Sequence, residues 1–92
     1  MATLKCTLVH HTGTIIRFTT SQLGELPDSD QDVQIELPNG SVVHGHFRRN
    51  EANPNVSGAE LVGYIKGRLA FGEREDAQIT LGESDLWKLR TN

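Results

Sequence analysis

Val33-Gln34-Ile35-Glu36-Leu37-Pro38-Asn39-Gly40-Ser41-Val42-Val43-His44-Gly45-His46-Phe47-Arg48 is the most informative stretch of this chain. Apolar and polar residues alternate on both sides of Pro-Asn-Gly, the pattern of two half-buried strands joined by a tight turn. The length of the turn sets the register. A two-residue Asn39-Gly40 loop would pair Leu37 with Val42 and Ile35 with His44, mixing apolar and polar partners on one face. A three-residue loop, with Pro38 at the second position of a type I turn and Gly40 in the left-handed region, pairs Ile35 with Val43 and Gln34 with His44. Val33, Ile35, Leu37, Val43 and Phe47 then share a buried face, while Gln34, Glu36, His44, His46 and Arg48 share the outer one. That register is expected because it alone separates the faces.

Alternation continues outward in both directions. Leu4, Cys6 and Leu8 are in phase, and Ile16 and Phe18 are in phase after His10-His11-Thr12-Gly13. These runs predict a hairpin with His10 to Thr14 at its tip. Thr20 to Leu26 reads as one short helical turn capped by Thr20 or Ser21, and Pro27 to Gln31 as a mobile acidic loop. Downstream, Arg49-Asn50-Glu51-Ala52-Asn53-Pro54-Asn55 is too polar to bury and reads as a loop. Ser57 to Phe71 is ambiguous: Gly58, Gly63, Gly67 and Gly72 argue against a stable helix, Ala59-Glu60-Leu61-Val62 could form a turn of one, and a strand is expected around Leu61 to Lys66. Ala77 to Leu81, a turn at Gly82-Glu83, and Ser84 to Arg90 form a closing hairpin. The whole is a mostly β domain, a small open barrel of six or seven strands with one or two short helical turns.

Length and composition bound what such a domain can do. At 92 residues a single domain over residues 1–92 with one core is expected, and a multi-domain enzyme is not. The five aromatic residues, Phe18, Phe47, Phe71, Tyr64 and Trp87, leave that core small. No apolar run suits a membrane span and the N-terminus lacks a signal-peptide pattern, so a soluble cytoplasmic monomer is expected. The single Cys6 forms no internal disulfide, and its phase with Leu4 and Leu8 makes it a small buried hydrophobe. Charge is segregated along the sequence. Residues 1 to 24 carry Lys5 and Arg17 and no acid, whereas residues 25 to 36 carry Glu25, Asp28, Asp30, Asp32 and Glu36 and no base. The net charge of -3 weighs against binding of a polyanion by charge alone.

No phosphate-cradling glycine loop, nucleophile elbow or His-Glu-x-x-His pair is present, and no catalysis is expected. His44 and His46 lie two apart on one strand face and His10-His11 sits at a hairpin tip, yet no carboxylate or thiol stands at ligand spacing. Neither a metal nor another cofactor is expected. The segment from Arg48 to Asn55 differs in kind. Arg48 and Arg49 leave a strand and are followed by Asn50, Asn53 and Asn55, joining guanidinium groups that fork onto guanine or phosphate to amides that pair with adenine.

The order of features resembles the DNA-binding pseudobarrel superfamily, which includes the B-three domains of plant transcription factors and recognition or effector domains of restriction endonucleases. The likeness runs from Gly13-Thr14-Ile15-Ile16-Arg17-Phe18 and a short helical turn, through the Val33 to Phe47 hairpin and the polar arm after it. It ends at Phe71-Gly72-Glu73-Arg74-Glu75-Asp76-Ala77-Gln78-Ile79, similar to the family's closing turn and apolar strand. The resemblance implies two arms that grip the major groove of double-stranded DNA. The first would be His10, His11, Thr12 and Thr14, and the second Arg48, Arg49, Asn50, Asn53 and Asn55. The expected function is sequence- or modification-selective DNA recognition, as in restriction-modification. A different class is also open: a phage inhibitor or immunity-type module whose acidic segment 25–36 meets a protein partner by mimicking DNA charge.

Overall fold

The computed structural model describes residues 2–82 and 85–91. Its strands are Ala2–His10 (β1), Thr14–Arg17 (β2), Gln31–Glu36 (β3), Val42–Arg48 (β4), Asn55–Ser57 (β5), Arg74–Leu81 (β6) and Leu86–Thr91 (β7). A 3-10 helix spans Thr20–Glu25 and an α-helix, α1, spans Ala59–Arg68. The seven strands form one barrel in the order β1-β2-β5-β4-β3-β7-β6. Neighbours are antiparallel except β3 and β7, which run parallel. The small mainly β barrel expected from the alternation is what the chain forms. Its sheet is closed where an open one was expected, because β1 and β6 pair along their full length from Ala2 opposite Leu81 to Val9 opposite Arg74.

The central hairpin has the three-residue loop. Ile35 stands opposite Val43 and Gln34 opposite His44. The Leu37 N–H donates to the Ser41 carbonyl at 2.7 Å, the Gly40 N–H to the Leu37 carbonyl at 2.9 Å, and Gly40 has φ +88°. Val33, Ile35, Leu37, Val43 and Phe47 are buried as the face separation required. Gly45 fills the inward position between Val43 and Phe47 for a steric reason. A Cβ there would lie 2.8 Å from Val56 Cγ1 and 2.9 Å from Ile35 Cδ1.

Leu4, Cys6 and Leu8 of β1 enter the same core, together with Ile16, Val56, Ala77, Ile79 and Leu89. Phe18, Phe47 and Trp87 pack with ring centroids 5.6 to 6.4 Å apart, so Trp87 belongs to the interior. Full burial of a side chain such as Phe47 contributes about 1.5 to 3 kcal/mol, and the interlocked rings add to that. Burial, and then the nearby Asp76 carboxylate, push the Cys6 thiol up to about 12. The thiol is thus a neutral core group, as its phase implied.

The two helical segments lie at the two ends of the barrel. α1 links β5 to β6 and inserts Leu61 and Ile65, whereas the 3-10 helix links β2 to β3 with Phe18 and Leu26 buried on either side of it. The strand expected at Leu61 to Lys66 is therefore a helix. Leu61, Ile65 and the half-buried Leu69 recur every four residues along one face, while Gly63 and Gly67 have open space around them and cost only propensity. Gly58 precedes the helix because a Cβ there would sit 2.6 Å from the His44 carbonyl oxygen. At the far end Arg68 grips Glu75 of β6 through two hydrogen bonds, which hold the Glu75 carboxyl below its ordinary range.

Other boundaries shift slightly. The cap of the 3-10 helix is Thr19, one residue before the expected Thr20 or Ser21, and its backbone N–H donates to Gln22 Oε1 at 3.0 Å. Gln31, expected in a loop, opens β3. β6 and β7 form the expected closing hairpin, but Glu83 of its turn and Ser84 of its second strand lie outside the described residues. No helix among the described residues is long and apolar enough to cross a membrane.

Candidate functional site

The pairing pattern decides where the two predicted arms stand. His10 faces Thr14 at one end of β2, and at the other end Arg17 faces Asn55, which in turn faces Arg48. The β1–β2 tip and the β4–β5 connection therefore rise at opposite ends of a strand of four residues, about 13 Å long at strand rise. They form two jaws with an outer sheet surface between them. On that surface Arg17 and Arg48 flank Asn55, all three opposite the buried faces of Ile16, Phe47 and Val56. Two ladder spacings put the arginine Cα atoms about 10 Å apart. Among the described residues neither arginine enters an ion pair.

A groove of about 420 Å³ lies beside this row over the outer face of β1 and β2, lined by His11, Thr12, Arg17, Asn53, Glu73 and Arg74 but not by Asn55 or Arg48. It brings together residues from the first jaw, the second jaw and the start of β6. Its electrostatics are mixed. Arg17 and Arg74 supply positive charge, whereas Glu73 uses Oε1 to accept the Ala70 N–H at 2.6 Å and so holds the turn before β6.

The predicted site residues divide into two groups. His11, Thr12, Arg48, Asn50 and Asn53 are exposed. His10 is turned inward, with Nδ1 3.0 Å from the Leu69 carbonyl, and Thr14 is half-buried with its hydroxyl donating to the His11 carbonyl at 3.4 Å. Asn50 shapes its own loop, since Oδ1 accepts the Ala52 and Asn53 N–H groups at 2.9 and 3.2 Å. Asn55 is not an arm residue. It lies in β5 at 9% exposure, and its Nδ2 donates to the Asn53 carbonyl at 2.8 Å.

Arg49 also departs from expectation. Its Nη1 donates to the carbonyls of Leu23, Leu26 and Pro27 at 2.9, 3.4 and 2.8 Å, and its backbone N–H donates to Asp30 Oδ1 at 2.7 Å. A guanidinium whose Nη1 is held by carbonyls at the end of a 3-10 helix is tied back onto the barrel. The same bonds tie down the acidic loop expected to move freely. Arg49 thus clamps the base of the second jaw to the segment below it.

Sequence reasoning passed over Arg17, Arg74 and Phe71. Arg17 alternates with core residues and looked like an ordinary outward position, and only the β2–β5–β4 pairing sets it beside Arg48. Phe71 is 65% exposed at the corner of the turn before β6, stacked on His11 with centroids 5.1 Å apart. On the same outer face of β4, toward β3, His46 Nδ1 lies 2.8 Å from Asp32 Oδ1. Among the described residues no three His, Cys, Asp or Glu side chains are placed to hold a metal ion together. No family model, curated protein or solved structure matches the chain.

Proposed function

We propose that this barrel is a non-catalytic module that binds double-stranded DNA across the outer face of β2 and β5, between its two jaws. The observation that carries the reading is the row Arg48, Asn55, Arg17, in which an exposed and a half-buried arginine flank a buried amide between two polar loops. Arginines whose Cα atoms stand about 10 Å apart suit separate contacts to phosphate oxygens, which position a protein on the duplex without reading sequence. Base reading falls to the loops, with Asn53 and Thr12 as hydrogen-bonding groups at the borders of the groove. Arg49 serves by fixing the second jaw, not by touching DNA.

The other class, an acidic surface that mimics DNA for a protein partner, has less support. Asp30 and Asp32 each accept a hydrogen bond within the chain, from the Arg49 N–H and from His46, so two of the four exposed acids Glu25, Asp28, Asp30 and Asp32 are already partly engaged. Fluorescence polarisation with labelled duplex, single-stranded DNA and RNA at low and moderate salt tests the proposal. Duplex affinity in or tighter than the usual non-specific range of about 1 to 100 μM, falling steeply with salt, is the expected result. Absence of duplex binding at about 50 mM salt would remove it.

A further inference from the structure

Phe71 is an exposed aromatic that the fold holds still. It occupies the corner of a turn in which the Glu73 N–H donates to the Ala70 carbonyl at 3.0 Å and Gly72 takes φ +91°. That turn is fastened to the end of β1, because the Gly72 N–H donates to the His10 carbonyl at 2.6 Å and the His10 N–H to the Glu73 carbonyl at 3.1 Å. His11 stacks on the Phe71 ring at an interplanar angle of 21°, and His10 meets it edge-on at 80°. The ring nevertheless remains 65% exposed. Burial therefore does not account for it, and the ordering cost of an aromatic contact is already met in the free protein.

The surroundings indicate what such a ring would meet. Its chain neighbour Gly72 and its stacking partner His11 line the groove, whose lining also includes Arg17, Arg74, Asn53 and Thr12. An aromatic face next to cations and hydrogen-bonding groups is the chemistry that recognises a nucleotide, with the base on the ring and its phosphate on the guanidinium. A paired base inside a duplex offers no face to a ring, so the contact requires a base that has left its stack.

We infer that Phe71, backed by His11, is a stacking contact for one unpaired or displaced base of a DNA duplex, with the base edge directed into the groove of Arg17, Asn53 and Thr12. The inference rests on the duplex-binding reading and specifies which feature of DNA the first jaw selects. Aromatic–base stacking is sequence-tolerant, so the selected feature is a local defect in the helix and not a particular base.

Three fluorescein-labelled duplexes test it by polarisation: one fully paired, one carrying a single bulged adenine, and one carrying an abasic bulge at the same place. The abasic bulge keeps the backbone distortion and lacks the ring. The wild-type protein should prefer the bulged adenine by about tenfold over both others, a typical value for one stacked base. Phe71→Ala should abolish that preference and keep the affinity for fully paired duplex, and His11→Ala should reduce the preference partly. Equal wild-type affinity for the adenine and abasic bulges, or an undiminished preference in folded Phe71→Ala, would overturn the stacking contact while leaving duplex binding intact. Failure to bind any of the three duplexes would remove the duplex-binding reading and this inference with it.

Discussion

Arg49 sets Nη1 2.8 Å from the carbonyl oxygen of Pro27, so the second of two adjacent arginines is turned back onto the barrel while Arg48 stays exposed. Neighbours in sequence thus have opposite roles. Arg49→Ala should destabilise the fold by about 1 to 3 kcal/mol, since half-buried carbonyls of Leu23, Leu26 and Pro27 lose a charged donor. Arg48→Ala should change stability by no more than about 0.5 kcal/mol, as an exposed substitution without packing. Urea unfolding of both variants checks this, and equal losses would show that the clamp contributes nothing specific.

The glycines give a sharper steric test because their surroundings differ. Gly45→Ala must displace Val56 and Ile35 and should cost about 1 to 3 kcal/mol. Gly58→Ala presses on a backbone carbonyl and should cost at least as much. Gly63→Ala lies in α1 with nothing near and should stabilise by about 0.5 to 1 kcal/mol. Melting temperatures should therefore order Gly63→Ala above wild type and wild type above the other two.

Cys6 supplies a pH dependence whose sign follows from its buried thiol. Its pKa rises from 9.0, the ordinary value for an exposed thiol, to about 12 in the fold. The folded state thus holds the proton more tightly, its stabilising contribution is complete below pH 9.0, and it is lost as pH rises toward about 12. Chemical denaturation from pH 8 to about 11 should show wild-type stability falling more steeply than that of Cys6→Ala. Native protein should also resist alkylation at pH 8 and react once unfolded, because a thiol without thiolate character is inert.

Much of the fold was legible where the information is local. The Ile35–Val43 register followed from face separation, and the phase of Leu4, Cys6 and Leu8 placed one wall of the core. α1 was legible only as one turn at Ala59 to Val62, because its glycines look like helix breakers until the steric role of Gly58 and the open faces of Gly63 and Gly67 are seen. Barrel closure through β1 and β6 pairs two strands far apart in sequence and leaves no local mark. The site was half legible for the same reason. The exposure of Arg48 came from strand parity, but its alignment with Arg17 is set by β5, a strand of three residues too short to carry a periodic signal. Asn55 misled because composition cannot tell an arm from the strand beneath it.

The most direct test of the proposed DNA surface is the salt dependence of duplex affinity in wild type, Arg17→Ala, Arg48→Ala and Arg49→Ala, each confirmed to be folded. Counterion release makes the slope of log affinity against log salt count neutralised phosphates, at about 0.9 per contact on duplex DNA. Arg17→Ala and Arg48→Ala should each lower the slope by about one contact and weaken binding to all sequences alike, whereas Arg49→Ala should leave it unchanged. Slopes for Arg17→Ala and Arg48→Ala equal to that of wild type would contradict the account.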